Sequence, residues 1–369
     1  MATDAWLAVL HATRSAAART ELLAAAGSAE ALHGFASGQR ALPGLGGRAA
    51  AQPSESARQD IEGWRAWLAQ PGHHLVNLGS PRYPRRLAQT TDPPLALWVA
   101  GERLELLDAP QLAIVGSRNA SHAGRATAQQ FGRYLSTRGL TITSGLATGI
   151  DAAGHEGALG GPGGTIAVFG CGIDVIFPRD HAALAERIAA SGLLVSEYGP
   201  GVPPAAHQFP ERNRIIAGLS LGTLVVEAGR RSGALITARR AGEYGRDTFA
   251  IPGSIHNPLA RGCHWLIRQG AKLVEEGDDI LVELKAQLEH EDLIEAPREE
   301  PPAPEEASEI RRDPAYAKLL NQLGFEPATI AGLVARSGLT TAELSSMLLL
   351  LELEGLVEAL PGGRYCRLK

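Results

Sequence analysis

The feature that most limits the fold of this chain is the alternation of short apolar runs with helical stretches between Gln111 and Val274. The apolar runs end in turns of small residues and predict seven strands, near residues 112–116, 140–143, 165–169, 193–196, 222–226, 247–251 and 272–274. Helices are predicted between them, for example at Ala123–Thr137, Gly149–Leu159, His181–Ala190 and Gly233–Tyr244. Crossovers this short make neighbouring strands parallel, so the pattern predicts an α/β fold with a doubly wound, mostly parallel sheet.

Composition divides the 369 residues into four segments. Residues 1–70 are rich in alanine and leucine, which predicts a small helical domain. Residues 71–288 hold the strand–helix alternation, and apolar runs before Gly101 are expected to extend its sheet at one edge. Residues 289–312 are acidic and rich in proline, which is typical of a linker. Residues 313–369 have the pattern of a helix, a turn, a second helix and a small β wing, which predicts a winged-helix-like domain.

The net charge of −5 is unevenly distributed along the chain. Glu289–Glu309 contains nine acidic residues and one basic residue, so the rest of the chain carries a net charge of +3. Between Ala205 and Gly270 there are nine arginines and four acidic residues. Local charge matters more than total charge when the partner is a polyanion, so this region indicates nucleic acid. The alternative is a solvated face with scattered ion pairs.

The carboxy-terminal segment carries a different charge pattern. Its second predicted helix, Thr340–Gly355, contains Glu343, Glu352 and Glu354 and has no lysine or arginine. A helix that enters DNA normally carries positive charge. We therefore favour partner binding or domain packing over DNA recognition for this helix.

The cysteines and the hydropathy pattern bear on the compartment. Cys171, Cys263 and Cys366 are widely separated without metal-ligand spacing, which fits a reducing environment. No apolar run approaches the roughly 20 residues of a membrane helix, and the amino terminus lacks the layout of a signal peptide. We expect a cytoplasmic protein without a membrane partner.

The turn Gly116-Ser117-Arg118 lies where the first of the seven predicted strands meets its helix. Amides in such a turn and the dipole of the following helix favour an anion, and the Arg118 guanidinium adds a bidentate donor. A dinucleotide site requires Gly-x-Gly-x-x-Gly, and only its first glycine is present here. The chain also contains no P-loop lysine motif. The turn therefore indicates a phosphate site that uses neither NAD nor ATP, and we expect no cofactor.

Two further small-residue turns repeat this pattern. Ser144-Gly145 follows the next strand, and Ser232-Gly233 precedes a later helix that contains Thr237. Small side chains allow a ligand backbone to approach closely. Ser232 and Thr237 suit helix capping or phosphate contact better than nucleophilic attack, because no Ser-His-acid spacing accompanies them.

Four titratable residues are candidates for other chemistry. Asp151 and His155 lie four residues apart on one predicted helix, but no third metal ligand is evident, so a structural role is favoured over a metal site. Glu197 and Glu227 follow strands, where a carboxylate is either catalytic or orders nearby turns and arginines. We therefore predict neither a metal site nor a catalytic residue.

The segment Arg212-Asn213-Arg214 predicts two guanidiniums at the start of a helix, where they can neutralise successive phosphates. Phe209 precedes them and is suited to stacking on a base, which is how single strands are bound without sequence recognition. The structural alternatives are that Phe209 belongs to the core and that Arg214 pairs with Glu227.

Seven motifs in this order resemble the bacterial DNA-processing protein A family (DprA, also called Smf). They are Ser144-Gly145-Leu146-Ala147-x-Gly149-Ile150-Asp151-x-x-x-His155, Gly170-x-Gly172-x-Asp174-x-x-x-Pro178, Ser196-Glu197, Phe209-Pro210-x-Arg212-Asn213-Arg214-Ile215-Ile216, Glu227-Ala228, Ser232-Gly233-x-Leu235-Ile236-Thr237 and Pro252-Gly253. The motifs cover residues 75–285 in detail.

The resemblance implies an extended Rossmann-like domain flanked by a sterile-alpha-motif-like domain and a winged-helix-like tail. It implies a non-catalytic protein that binds single-stranded DNA, protects incoming DNA and loads the RecA recombinase during natural transformation. It also implies a homodimer formed through the Rossmann-like domain. The family's DNA-binding arginine falls on Arg118, and basic residues of later turns fall on Arg179, Arg212 and Arg214.

Nucleoside-monophosphate hydrolases of the same superfamily are the alternative. Their motif, Pro-Gly-Gly-x-Gly-Thr-x-x-Glu, is only partly kept in Leu219–Glu227, which has Gly222-Thr223 but lacks Pro-Gly-Gly and places the glutamate one residue late. Part of the monophosphate cradle is therefore missing. A purely protein-binding adaptor is a third hypothesis, but it leaves the arginine cluster unexplained.

Overall fold

The computed structural model describes residues 6–7, 9–11, 55–289, 313–323 and 327–368. The chain forms two compact units, Met1–Ile294 and Glu295–Lys369. Most of the predicted helical domain of residues 1–70 and almost all of the predicted linker of residues 289–312 lie outside the described residues.

The larger unit is built on a nine-stranded sheet. Its strands, β1 to β9, are His73–Asn77, Ala96–Ala100, Gln111–Val115, Thr141–Ser144, Thr165–Phe169, Leu193–Ser196, Gly222–Val225, Asp247–Ala250 and Lys272–Leu273. They lie in the order β1-β2-β6-β5-β4-β3-β7-β8-β9. Strands β3 to β9 are parallel, whereas β1 and β2 form an antiparallel extension beside β6. All seven predicted strands are present, and the expected extension at one edge is confirmed.

Helices cover both faces of this sheet. Their bounds are Glu55–Leu68, Arg85–Ala88, His122–Thr137, Ile150–Ala158, Ala182–Ser191, Gln208–Leu219, Ala234–Glu243, Arg261–Arg268 and Gly277–Glu289. Three 3₁₀ turns occur at Leu104–Leu107, Arg179–His181 and Pro258–Ala260. In the part of the chain that the structure describes, no helix has the length and apolarity needed to cross a membrane.

The central strand β3 shows why its sequence is a continuous apolar run. All five of its residues are buried. Leu112 and Ile114 pack into the core beneath the helix His122–Thr137, while Ala113 and Val115 pack into the core beneath the helix Gln208–Leu219. Successive side chains of a strand point to opposite faces, so a strand covered on both faces is apolar throughout.

Strand β3 is also where the order of the sheet reverses. Strand β4 lies on one side of β3 and β7 on the other, so the crossovers that follow β3 and β7 leave the sheet in different directions. A doubly wound sheet opens a crevice at this switch point, outside the carboxyl ends of its strands. The turn that starts at Gly116 lies in this crevice.

The smaller unit has the winged-helix form expected for residues 313–369. It contains the helices Pro314–Leu323, Ile330–Ser337 and Thr341–Leu353 and the antiparallel strands β10 (Ala328–Thr329), β11 (Val357–Leu360) and β12 (Arg364–Arg367). Thr340 caps the third helix through a reciprocal pair of hydrogen bonds with Glu343, as its sequence predicts. The leucines at helical spacing, Leu344, Leu348 and Leu351, form part of this unit's own core.

Candidate nucleic-acid interface

The crevice at the switch point contains a pocket of about 510 Å³. Turns after β3, β4 and β7 and the starts of two helices form its walls. Eight of the predicted site residues line it: Gly116, Ser117, Arg118, Phe209, Arg212, Asn213, Ser232 and Gly233. The other four, Ser144, Gly145, Arg179 and Arg214, do not. The structure thus brings together two of the predicted turns and the start of one helix.

Glycines hold the turn after β3 against the helix Ile150–Ala158. A Cβ atom on Gly116 would lie 2.5 Å from the side chain of Ile150. Gly149 has a φ of +83°, and a Cβ atom there would lie 2.2 Å from the carbonyl oxygen of Ser117. That same carbonyl accepts a hydrogen bond from the Ile150 amide at 3.2 Å. The close approach of two backbones therefore requires glycine at both positions.

Arg118 is exposed at the rim of the pocket. Its guanidinium carbon lies 5.9 Å from the centre of the Phe209 ring, within the range of a cation–π contact. Among the described residues, its side chain has no carboxylate partner within ion-pair distance. An exposed guanidinium without a fixed partner is available to an anion.

Phe209 is half-buried and contributes an aromatic surface beside Arg118. Its ring centre lies 5.3 Å from that of Phe177, whose side chain is 47% exposed. Phe209 belongs to none of the apolar core clusters. The alternative that places Phe209 in the core is therefore wrong.

Arg212 lines the pocket from below and is otherwise enclosed, with 4% of its surface exposed. Its Nη1 donates hydrogen bonds to the carbonyl oxygens of Gly145, at 2.7 Å, and Val168. A Cβ atom on Gly145 would lie 2.2 Å from Nη1, so this packing requires glycine. Burial lowers the pKa of Arg212, and the nearby Asp151 carboxylate opposes that shift. Arg212 is thus a buried cation in the pocket floor, and its contact with a phosphate stays a prediction.

Ser144 and Gly145 have no donor left for a ligand. The Ser144 hydroxyl is fully buried and donates to the carbonyl oxygen of Ile114 at 2.6 Å. The Gly145 amide donates to the Asp151 carboxylate at 3.1 Å. Both groups stabilise the turn itself, and contact of this pair with a phosphate stays a prediction.

Arg214 lies behind the pocket with 5% of its surface exposed. Its Nη2 donates to both carboxylate oxygens of Glu197 at 2.6 Å, and its Nε lies 3.7 Å from Asp92. Burial disfavours the charge, yet these carboxylates raise the pKa of Arg214 above its ordinary value. Arg214 forms a buried ion pair and has no access to the pocket. The alternative that pairs Arg214 with Glu227 is therefore wrong.

Glu227 instead holds the beginning of the helix His122–Thr137. Its carboxylate accepts hydrogen bonds from the Ser121 amide at 2.9 Å and the Ser121 hydroxyl at 2.7 Å. The Ser121 hydroxyl in turn accepts from the Gly124 amide at 2.9 Å. A negative charge near the amino-terminal end of a helix interacts favourably with the helix dipole and stabilises the helix. Of the two roles considered for Glu197 and Glu227, the structure gives both residues the ordering role.

The opposite wall of the pocket begins the helix Ala234–Glu243. The Ser232 hydroxyl accepts a hydrogen bond from the Ala234 amide at 3.3 Å, and the Asn213 side chain donates to the Gly233 carbonyl at 3.3 Å. Arg231 is exposed and also lines the pocket, although the sequence analysis did not select it. Its position in the turn after β7 was the sequence signal that could have identified it as a pocket residue. Arg179 is exposed in a 3₁₀ turn outside the pocket.

His155 is fully buried, and its Nδ1 lies 2.7 Å from the Thr165 hydroxyl. Burial, followed by the charges of Arg212 and His181, lowers the pKa of His155 to about 3. Across residues 55–289, 313–323 and 327–368, no group of three histidine, cysteine, aspartate or glutamate side chains is placed to hold a metal ion. His155 is thus enclosed in the core beside the Thr165 hydroxyl.

Two family models match this chain. Residues 74–285 match the model described as DNA recombination-mediator protein A, and residues 298–363 match the DprA winged helix domain. The chain is 47% identical to Protein Smf of Escherichia coli over 85% of this chain and 82% of that protein. It is 49% identical to the DNA processing protein DprA of Streptococcus pneumoniae over 55% of this chain and 71% of that protein.

Two solved structures are similar to the larger part of the chain. The crystal structure of DprA from Streptococcus pneumoniae matches with a TM-score of 0.59 and 39% identity, over 72% of this chain and 96% of that one. DNA processing protein A from Helicobacter pylori, described with a single-stranded DNA binding mode, matches with a TM-score of 0.52 and 28% identity, over 58% of this chain and 97% of that one. The sheet, its switch-point pocket and these matches lead to one conclusion: the chain belongs to the DNA recombination-mediator protein A family, which is the DprA/Smf family.

Proposed function

We propose that this protein binds single-stranded DNA without catalysis, with phosphates in the switch-point pocket. The observation that carries this proposal is the exposed Arg118 guanidinium, which has no carboxylate partner among the described residues and lies beside the half-buried ring of Phe209. A guanidinium suits phosphate, and an aromatic face suits a base. The single-stranded DNA binding of the Helicobacter pylori relative supports the same ligand.

The charges around the pocket support an anionic ligand. Arg118 and Arg231 are exposed at its lining, and the helix Ala234–Glu243 begins there. Among the described residues, Asp151 is the one acidic side chain in the lining, and it is buried beside the Arg212 guanidinium. Phosphate contacts of this kind predict steep loss of affinity with salt and little dependence on base sequence.

Membership of this family motivates proposals for two partners besides DNA, the RecA recombinase and a second copy of the chain. We propose that the protein loads the RecA recombinase onto bound DNA in the cytoplasm and acts as a homodimer through its sheet unit. Leu273 of the edge strand β9 is 43% exposed, which leaves an apolar side chain for contact with a second copy. Two pockets on one strand would raise affinity through effective concentration.

The nucleoside-monophosphate hydrolase alternative gains no support from the pocket. Its glutamate, Glu227, is bound by Ser121 and does not line the pocket. A carboxylate engaged in this way is not free to act as a general acid or base. We therefore propose binding alone as the activity of this site.

Fluorescence anisotropy with labelled single- and double-stranded oligonucleotides tests the proposal. We expect preference for single strands, steep salt dependence and an affinity about tenfold or more lower for Arg118→Ala, because a charged hydrogen bond contributes about 1.5–3 kcal/mol. Arg239→Ala, which removes an exposed arginine outside the pocket, is the matched control and should leave affinity nearly unchanged. Full affinity of Arg118→Ala with a markedly lower melting temperature would instead assign Arg118 a structural role.

A further inference from the structure

The third helix of the smaller unit, Thr341–Leu353, is apolar on two opposite faces. The inner face packs into the core of that unit through three buried leucines, Leu344, Leu348 and Leu351. The outer face carries three more leucines, Leu349, Leu350 and Leu353, which are 58%, 39% and 77% exposed. A surface helix normally presents polar residues on the face opposite its core. The outer leucines therefore lack the packing that apolar side chains favour.

The exposed residues of the outer face follow a regular spacing of four, three and four positions: Ala342, Ser346, Leu349 and Leu353. In a helix of about 3.6 residues per turn, this spacing places them in one line along the surface. The line lies opposite the inner leucines, because positions 344 and 346 are about 200° apart around the helix axis. We call these four residues the outer seam. The same spacing lets one helix pack against another.

Negative charge flanks the outer seam on both sides. Glu352 lies on one side of Leu353 and Glu354 on the other, since each residue turns the helix by about 100°. Both glutamates are exposed, and within the described part of the chain neither side chain has a cationic partner at ion-pair distance. The helix itself contains no lysine or arginine. The surface therefore combines an apolar line with carboxylates whose charges are not offset.

This charge pattern discriminates between the candidate occupants of the outer seam. A DNA strand is a polyanion and is repelled. The segment Glu289–Glu309 of this chain has nine acidic residues and one basic residue, so it carries the same sign. A second copy that used the same face would bring Glu352 and Glu354 against their own equivalents, because a two-fold interface pairs a patch with itself. A helix that has apolar residues along one face and basic residues beside them matches both features.

We propose that the outer seam binds a basic amphipathic helix of a partner protein. Leu349 and Leu353 pack against the apolar face of that helix, and Glu352 and Glu354 pair with its lysines or arginines, as charged residues beside an apolar seam do in paired helices. These charge pairs reject acidic helices. The proposal concerns the smaller unit alone, so it does not rest on the function proposed for the switch-point pocket.

Binding of two synthetic helices to the full chain tests the proposal. Both peptides are about three heptads long and have leucine at positions a and d, but one has lysine at positions e and g and the other has glutamate there. Fluorescence anisotropy of the labelled peptides measures both affinities. We expect the lysine peptide to bind about tenfold or more tightly than the glutamate peptide. Equal affinities, or no binding of the lysine peptide, would overturn the proposal.

Two double variants locate the peptide on the chain. Glu352→Lys with Glu354→Lys should reverse the preference, so that the glutamate peptide binds more tightly. Leu349→Ser with Leu353→Ser should lower the affinity for the lysine peptide by about tenfold or more. Val282→Ser is the matched control, because it removes a side chain that is 73% exposed on the last helix of the larger unit, and it should leave the affinity unchanged. Full affinity of both double variants would place the peptide elsewhere and contradict the proposal.

Two further measurements on Leu349→Ser with Leu353→Ser distinguish the other occupants. Thermal unfolding should match that of the unchanged chain, because both leucines are exposed. A markedly lower melting temperature would assign the outer seam to packing within the chain. Analytical ultracentrifugation should give one oligomeric state for both proteins, and a dimer that the variant loses would assign the seam to a second copy. Either of these results overturns the proposal.

Discussion

Two groups of arginines in the sheet unit carry the same charge in the sequence and have opposite surroundings in the structure. Arg118 is exposed at the pocket rim beside Phe209. Arg212 and Arg214 lie on one nearby helix, yet only 4% and 5% of their surfaces are exposed. Arg212 donates to carbonyl oxygens, and Arg214 donates to a carboxylate. Arg212 forms part of the pocket floor, Arg214 lies behind the pocket in an ion pair, and the exposed Arg118 remains available to a ligand.

This difference changes what a substitution can reveal. Loss of a buried cation leaves its partners desolvated, so it acts on folding. Loss of an exposed arginine acts mainly on binding, because little else depends on it. A reduced DNA affinity is therefore informative only when it is measured together with stability.

The largest effect is expected for Arg214→Ala, which tests the buried side of the comparison. The change leaves Glu197 buried without its cation, and we expect a loss of about 3–5 kcal/mol in the free energy of unfolding. Urea unfolding measures it, with Arg239→Ala as the exposed control. Loss of DNA affinity without loss of stability would show that Arg214 belongs with Arg118 after all.

A pH-dependent prediction examines the interior beneath Arg212. The pKa of His155 is about 3 in the folded chain and 6.5 when unperturbed, so the unfolded chain binds more protons between these values. Stability therefore falls as pH drops through this window, by up to about 1.4 kcal/mol per pH unit. We expect the stability of His155→Gln to lack this part of the pH dependence. The missing loss in the free energy of unfolding is about 2 kcal/mol between pH 6.5 and pH 5. Urea unfolding at neutral and mildly acidic pH measures it, and parallel profiles for both proteins would contradict it.

Phe209→Ala sharpens the exposed side of the comparison. Stacking on a base contributes about 1–3 kcal/mol, so single-strand affinity should fall by roughly one order of magnitude. Because Phe209 is half-buried and outside the core clusters, we expect only a small change in melting temperature. Anisotropy and thermal unfolding on the same samples provide the measurement. Phe209→Tyr, which retains a ring, should restore most of the affinity.

The smallest effect is expected for Glu227→Gln, which concerns the turn that positions Arg118. The amide keeps one acceptor for Ser121 but loses the charge at the helix start, so we expect a loss of about 1 kcal/mol in stability. DNA affinity should change less than in Arg118→Ala. A larger loss of affinity than of stability would indicate that Glu227 has a role at the ligand.

Much of the fold could be predicted because its signals are local. Apolar runs of strand length, separated by helices, give a parallel sheet, and parallel strands place their following turns at one edge. The capping residues Thr340 and Glu343 are likewise readable, since they lie three positions apart. The turn after β3 and the segment after Phe209 were therefore expected at a common site, and both line the pocket.

Burial within the site could not be predicted, because it depends on partners that are distant in sequence. Arg212 donates to a carbonyl 67 residues away, and Arg214 pairs with a carboxylate 17 residues away. The charge of an arginine is fixed by its chemistry, whereas its exposure depends on which elements fold against it. The sequence alone determined the α/β architecture, the edge that holds the site and the excess of positive charge there. Only the tertiary structure decided which of those charges face a ligand, because desolvation and pairing are properties of the packed chain.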